Sequence, residues 1–249
     1  MENTNSSLTT CQRIREAVLY DPCLIPLYCK PPYSKRITHG IMAKMIPFRS
    51  SIEIECNNSL SLRKNTVEIC WHSDWKKLAN KFKLTDYSDD NMSKKGPTEH
   101  RISISNYKQL TGLYNTLLEM KKHCLLNPSS GIHIHIDLHP FFDSVEWKLM
   151  GYENRKDLRR KMINYFNTRL DSIEEIFGDY KGGYNSRGAA FNKGSWIRLC
   201  EEYQSAEFRI GGMTFEYETI IKWIIGCNKE ILLFYKKFGI DYKTYYASH

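Results

Sequence analysis

Three segments of the chain carry ionisable residues at every second position, with apolar residues between them. The segments span residues 52–56, 132–138 and 206–210. Alternate residues of a β-strand point to the same side and lie about 6.5–7 Å apart. Each segment therefore predicts a strand with one apolar face and one face of carboxylate, imidazole or guanidinium groups. If the three strands are neighbours, their polar faces merge into one charged patch.

The charged residues of these strands are of the types that bind divalent cations and phosphate groups. They are Glu53 and Glu55 in the first segment, His133, His135 and Asp137 in the second, and Glu207 and Arg209 in the third. A single Glu-x-Glu also suits a solvent-exposed strand, whereas clustered histidines favour metal or phosphate contact. Asp137 and the following His139 could instead end the strand and cap the turn at Pro140. Oxygen-rich ligands without cysteine favour Mg²⁺ or Mn²⁺ over Zn²⁺.

Hydrophobic periodicity over the rest of the chain predicts a mixture of strands and helices. Strands are expected within 41–71, with alternation at 51–56 and 66–71, and at 99–105, 132–138, 196–200 and 205–210. Helices are expected at 106–124, 155–177 and 216–238, polar loops at 85–97 and 178–195, and a solvated tail after the last helix. This order favours an α+β fold with a mainly antiparallel sheet. We expect a single domain over residues 1–249, with its core at about 41–240 and residues 1–40 as an N-terminal extension.

The charge and cysteine content of the chain narrow its partners and its compartment. Its 249 residues have a net charge of +8, which favours anionic partners such as nucleic acid, nucleotides or acidic small molecules. Neither an apolar run of membrane-spanning length nor a secretory pattern is present, so no membrane partner is expected. The eight cysteines are scattered without a Cys-x-x-Cys pair, which favours reduced thiols in a cytoplasmic protein.

Five stretches of the chain resemble, in the same order, motifs of one superfamily of ligases. Residues 129–138 (SSGIHIHIDL) resemble the GxHxHxxL strand of glutamine synthetases and glutamate–cysteine ligases, and more closely the GLHVHVD motif of the amidoligases in that superfamily. Residues 47–56 (PFRSSIEIEC) are similar to their FGVEIE strand, and residues 96–105 (GPTEHRISIS) to their GxELVSP strand. Residues 205–224 resemble their TVEFRxxxGTL…xxxWI segment, and residues 192–199 (NKGSWIRL) are weakly similar to the strand before it.

The amidoligase resemblance implies a fold, a reaction and a set of site residues. The fold would be a curved, mainly antiparallel sheet with helices on its outer face, like the catalytic domain of glutamine synthetase. The reaction would be ATP-dependent ligation of a small-molecule or peptide carboxylate to an amine through an acyl phosphate, with ATP and Mg²⁺ (or Mn²⁺) as cofactors. The implied residues are Glu53, Glu55, Glu99, His133 and Glu207 as metal ligands, His135 and Arg209 at the phosphoryl group, and Arg198 and Arg187 at the ATP phosphates.

Two other functions agree with the same sequence. A metal-dependent hydrolase could use the His-x-His-x-Asp strand, although Leu138 separates Asp137 from His139. A basic nucleic-acid-binding protein without catalysis is less favoured, because the lysines are spread along the chain and no known binding motif is present. The chain also lacks a GxxxxGK[ST] motif, so a bound nucleotide would lie on the sheet face and not in a P-loop. Arg187 could equally be a surface charge.

Overall fold

A mainly antiparallel β-sheet with helices packed on one face makes up most of the described chain. The structure is a computed structural model. It describes residues 45–58, 85–87, 98–104, 113–115, 117–118, 120–121, 124–125, 131–180, 185–192, 194–212 and 214–248. The strand expected at 66–71 and the extension expected at 1–40 lie outside the described residues.

The sheet contains the described strands in an order that differs from their order in the chain. Its members are β1 (Ser50–Asn58), β2 (Thr85–Tyr87), β3 (Thr98–Ile104), β4 (Cys124–Leu125), β5 (Gly131–Asp137), β6 (Ser186–Ala190), β7 (Ser195–Cys200) and β8 (Ser205–Gly212). The spatial order is β2-β3-β1-β5-β8-β7-β6, and β4 pairs with the end of β1. Only β6 and β7 pair in parallel among these strands. The expected α+β fold with a mainly antiparallel sheet is therefore confirmed.

The strand register makes neighbours of the three strands that carry alternating charges. Glu53 on β1 lies opposite His133 on β5. His135 on β5 lies opposite Glu207 on β8, and Glu207 lies opposite Arg198 on β7. These pairings are antiparallel, and the irregularity between β5 and β8 at Ile132–Ile134 leaves His135 opposite Glu207, so the polar faces of the strands merge into one patch.

The opposite face of the same strands forms the hydrophobic core with the helices. The buried strand residues alternate with the charged ones and include Ile52, Ile54, Ile132, Ile134, Ile136, Ile197, Leu199, Ala206, Phe208 and Ile210. The helices are α1 (His139–Phe142), α2 (Val145–Leu149), α3 (Tyr152–Asn167), α4 (Leu170–Phe177), α5 (Tyr217–Phe238) and α6 (Tyr242–Ser248). Among the described residues, none of these helices is both long and apolar enough to cross a membrane.

The prediction of a single helix at 155–177 is wrong, because the chain forms α3 and α4 with a break at Arg169. Arg169 has φ −107° and ψ 1°, and its guanidinium binds the carboxylate of Glu230 on α5 through two bonds of 3.0 and 2.9 Å. Glu230 is buried, so its charge requires such a partner. Apolar residues on both sides of the break face the core, which explains why the helical periodicity continues across it.

The structure also corrects three boundaries that depend on pairing with distant strands. The loop expected at 85–97 begins with β2, which pairs with β3, and the loop expected at 178–195 contains β6, which pairs with β7. The helix expected at 106–124 cannot extend to Cys124, which belongs to β4. Such short strands form because a neighbouring edge supplies hydrogen bonds, and local composition does not show that edge.

Helical residues at 113–115, 117–118 and 120–121 agree with the helix expected at 106–124. Leu113, Leu117 and Met120 are buried in the core. Helical spacing in the sequence predicts Leu118 on this apolar face as well, but Leu118 is 45% exposed. The buried stripe of this helix is therefore narrower than the sequence pattern predicts.

The solvated tail expected after the last long helix is wrong. Residues 242–248 form α6, and Tyr242 of this helix stacks on Tyr235 of α5 with ring centroids 5.7 Å apart. The hydroxyl of Tyr246 donates a 2.6 Å hydrogen bond to Asp137 at the end of β5, and that of Tyr245 donates a 2.8 Å bond to Asp143. The C-terminal helix is thus fastened to the edge of the polar patch.

We expect Tyr246→Phe to destabilise the fold by about 2 kcal/mol at pH 7, because a hydrogen bond to a carboxylate is lost. Burial and the nearby charge of Asp137 raise the pKa of Tyr246 above its usual value. The folded chain therefore keeps the hydroxyl proton at a higher pH than the unfolded chain. This stabilising contribution is complete below the unfolded pKa of about 10 and declines as the pH rises beyond it.

Urea unfolding between pH 7 and pH 11 would check this prediction. The wild-type protein should lose stability more steeply above pH 10 than the Tyr246→Phe variant. Tyr152→Phe is the matched control. Because Tyr152 is 74% exposed, this variant should have the same urea midpoints as wild type. Equal urea midpoints for Tyr246→Phe and wild type at pH 7 would contradict the prediction.

Candidate functional site

Four acidic and imidazole side chains meet two guanidinium groups on the polar face of the sheet. They are Glu53 on β1, His133 and His135 on β5, Arg198 on β7, and Glu207 and Arg209 on β8. Glu53 is 3% exposed, His133 5% and Glu207 1%. Burial of this degree rules out a plain solvent-exposed strand for Glu53, one of the interpretations that its sequence pattern allowed.

The two histidines lie between the two carboxylates. The Nε2 atom of His135 is 3.1 Å from Oε1 of Glu53. The Nδ1 atom of His133 is 3.5 Å from Oε2 of Glu53 and 3.4 Å from Oε1 of Glu207. The imidazoles on β5 therefore link the carboxylate of Glu53 on β1 to that of Glu207 on β8.

Two arginines flank Glu207 on the side of the cluster away from β1. Arg209 donates from Nη1 to one carboxylate oxygen of Glu207, and Arg198 donates from Nη1 to the other at 3.3 Å. The Nε atoms of both arginines are buried and have no hydrogen-bond partner among the described residues. A buried N–H group without a partner is costly, so these two donors suit an anion that enters the site.

The surroundings of Glu207 keep its carboxylate ionised. Burial acts to raise the pKa of Glu207, but its electrostatic interactions with His135, Arg209, His133 and Arg198 together outweigh burial. The pKa of Glu207 is therefore lower than its ordinary value, and the group is a carboxylate at neutral pH. This is the charge state that a metal ligand requires.

Glu53, His135 and Glu207 form a group that could hold a metal ion. Each offers one ligand atom, and these atoms lie within 4.8 Å of one another. Two carboxylate oxygens with one imidazole nitrogen are acceptable to Mg²⁺ and suit Mn²⁺ well. The group contains His135, for which the resemblance implies phosphate contact, while His133 lies beside it between the carboxylates.

Glu55 and Glu99, the two other expected metal ligands, are register partners in the sheet. Glu55 lies two residues beyond Glu53 on β1, and Glu99 of β3 lies opposite it. Strand alternation therefore places Glu55 on the same face of β1 as Glu53. The backbone brings both residues to the margin of the cluster, and their side chains lie outside the described part of the structure.

Arg187 is not brought to the cluster. It lies on β6, where its guanidinium donates to Asp171 and lies 3.5 Å from a carboxylate oxygen of Glu174. Both acids belong to α4 in the helical layer, and the guanidinium also lies 5.6 Å from the ring centre of Trp196. In the structure, Arg187 thus joins a strand to a helix on the side of the sheet that carries the core.

Asp137 and His139 end β5, as the simpler interpretation of the sequence predicts. The carboxylate of Asp137 accepts a 2.9 Å bond from the backbone N–H of His139 and also contacts the His139 ring at Nδ1. The third group at this carboxylate is the hydroxyl of Tyr246. Tyr246 was missed in the sequence, where only the spacing of the tyrosines at 242, 245 and 246 could have indicated a packed helix.

No protein-family model matches the chain. A search of curated proteins finds no matching sequence either. Function is therefore inferred from the geometry of the cluster together with the motifs described above.

We expect Glu53→Gln to weaken Mn²⁺ binding at least tenfold, because the variant replaces a charged oxygen ligand with a neutral amide. Titration calorimetry or the Mn²⁺ resonance signal would measure the change in affinity. Glu153→Gln, on an exposed side chain of α3, is the matched control and should bind as wild type. Unchanged Mn²⁺ affinity in a folded Glu53→Gln variant would show that this cluster is not the metal site.

Proposed function

We propose that the protein is an ATP- and Mg²⁺-dependent carboxylate–amine ligase with a fold like the catalytic domain of glutamine synthetase. The observation that carries this proposal is the meeting of Glu53, His135 and Glu207 with Arg198 and Arg209 on one sheet face. Metal ligands beside fixed guanidinium donors are the combination that phosphoryl transfer uses. A mainly antiparallel sheet with helices on its other face also supports the proposed fold.

The residues of the cluster divide into two functions. Glu53, His135 and Glu207 would hold Mg²⁺, which when bound neutralises phosphate charge. Arg198 and Arg209 would contact the phosphoryl oxygens through the Nε–H donors that have no partner among the described residues. Glu207 orients both guanidiniums, since each of its two oxygens accepts a bond from one of them.

The proposed reaction has two steps. A carboxylate of the acid substrate first attacks the γ-phosphorus of ATP, which forms an acyl phosphate and releases ADP. An amine then attacks the acyl carbon, loses a proton and displaces phosphate, which leaves an amide. As negative charge develops on the transferred phosphoryl group, its attraction to the guanidinium of Arg209 increases. Glu207 already holds this guanidinium in place before the reaction begins.

The hydrolase alternative uses the same histidines but requires Asp137 to join them. In the structure, the carboxylate of Asp137 binds His139 and Tyr246 at the end of β5. The metal-ligand group found among the described residues does not include it. The arginines beside Glu207 further support phosphoryl transfer, because hydrolysis by a single bound metal does not need two fixed guanidiniums.

We expect Arg209→Gln to lower ATP-dependent turnover by at least about a hundredfold, because the variant loses the guanidinium that we propose to contact the transferred group through an Nε–H without a partner in the described part of the chain. ADP release would be measured with Mg²⁺ or Mn²⁺ against a panel of amino acids, polyamines and peptides. Mn²⁺ affinity of the variant should not fall, since Glu53, His135 and Glu207 remain and a positive charge beside Glu207 is lost. Arg160→Gln, on the exposed surface of α3, is the matched control.

Two outcomes would contradict the proposed function. The first is equal ADP release by wild type and Arg209→Gln under saturating substrates. The second is metal-dependent hydrolysis of a substrate at the same rate with and without ATP, which would favour the hydrolase.

A further inference from the structure

A cleft of about 380 Å³ adjoins the cluster on the same face of the sheet. The side chains that matter most in its lining are those of Arg49, Ser51, Ser103, His135, His139 and Ser205. His135 belongs both to this cleft and to the metal-ligand group, so the two are continuous. Arg49 and Ser205 lie in segments that carry the resemblance, but neither the sequence patterns nor the resemblance assigns them a role.

The strand register places the cleft about two residues along the strands from the cluster. Ser51 lies opposite both His135 and Ser103, and Ser205 lies opposite Asp137. Ser205 precedes Glu207 by two residues on β8, which corresponds to about 7 Å along a strand. A ligand that extends from Glu207 to Ser205 therefore spans about 7 Å.

The hydroxyl of Ser205 is one of two observations that point to a ligand. Ser205 is 7% exposed, and its Oγ atom is buried with no hydrogen-bond partner among the described residues. A buried hydroxyl is normally satisfied, so one that lines a cleft without a partner suits a ligand atom.

The charge of the cleft is the second observation. Arg49 is exposed, and its guanidinium lies 5.9 Å from the ring centre of Tyr246. The one carboxylate that lines the cleft, among the residues described, is that of Asp137, and His139 and Tyr246 already bind it. These hydrogen bonds stabilise the charge of Asp137 but do not remove it, so the attraction of the cleft for an anion comes from the guanidinium of Arg49.

We propose that this cleft binds a carboxylate of the acid substrate, held by the guanidinium of Arg49 and the hydroxyl of Ser205. The assignment to a substrate rests on the proposed ligase function. The metal-ligand group then separates the guanidiniums of Arg198 and Arg209 on the ATP side from that of Arg49 on the acid side. A substrate that reaches both the cluster and Ser205 is a dicarboxylate with its two carboxylates about 7 Å apart.

Binding of the straight-chain dicarboxylates from succinate to suberate, measured by calorimetry on the full chain without ATP, tests this proposal. We expect one chain length to bind best and to exceed the monocarboxylate of equal length about tenfold. Arg49→Gln should lower that affinity about tenfold, and Ser205→Ala should lower it severalfold. Arg160→Gln is the control and should bind as wild type.

Several results would overturn the inference. Arg49→Gln with wild-type dicarboxylate affinity would do so, and so would equal binding of monocarboxylates and dicarboxylates. Inorganic phosphate is the competing probe. If phosphate binds more tightly than every dicarboxylate and depends on Arg49, the cleft is a phosphate site and the assignment to the acid substrate is wrong.

Failure of this inference can be distinguished from failure of the proposed function. If wild type releases ADP and Arg49→Gln leaves the KM for the acid unchanged, the inference is wrong and the ligase function stands. If Arg49→Gln abolishes dicarboxylate binding but wild type releases no ADP with any substrate, the cleft is confirmed as a binding site and the ligase function is wrong.

Discussion

The ionised carboxylate of Glu207 is the constraint on which the polar face of the sheet depends. It is 1% exposed, and a buried charge is costly unless other groups compensate it. The compensation comes from Arg209 on its own strand, from Arg198 on β7 and from the two histidines on β5. A slip of one residue between these strands would turn the charges into the core, so charge balance and register support each other.

The alternation of charged and apolar residues predicted the strands and faces that form the centre of the sheet. It could not predict their order, because β1, β5 and β8 are far apart in sequence and meet only through tertiary pairing. The break at Arg169 escaped the pattern for a similar reason, since the buried carboxylate of Glu230 that binds it lies on another helix. Local sequence shows which face is apolar, but it does not show which distant group will complete a charge.

The same limit of local sequence explains which site residues could be predicted and which could not. Glu53 and Glu207 stand out because carboxylates are unusual between buried apolar residues. Arg187 was expected at a phosphate on the basis of its loop and resemblance, but the acids of α4 provide its partners in the structure. Ser205 carries no unusual pattern at all, and only its burial beside a cleft distinguishes it.

The C-terminal helix connects the stability of the fold to the charge of the cleft. Tyr246 binds Asp137, and its ring also lies beside the guanidinium of Arg49. Without α6, the carboxylate of Asp137 would lose a donor and would compete for the positive charge of Arg49. An anion in the cleft would then be bound less tightly, even though α6 contributes none of the metal-ligand group. α6 thus affects the proposed substrate site through the charge of one carboxylate, that of Asp137.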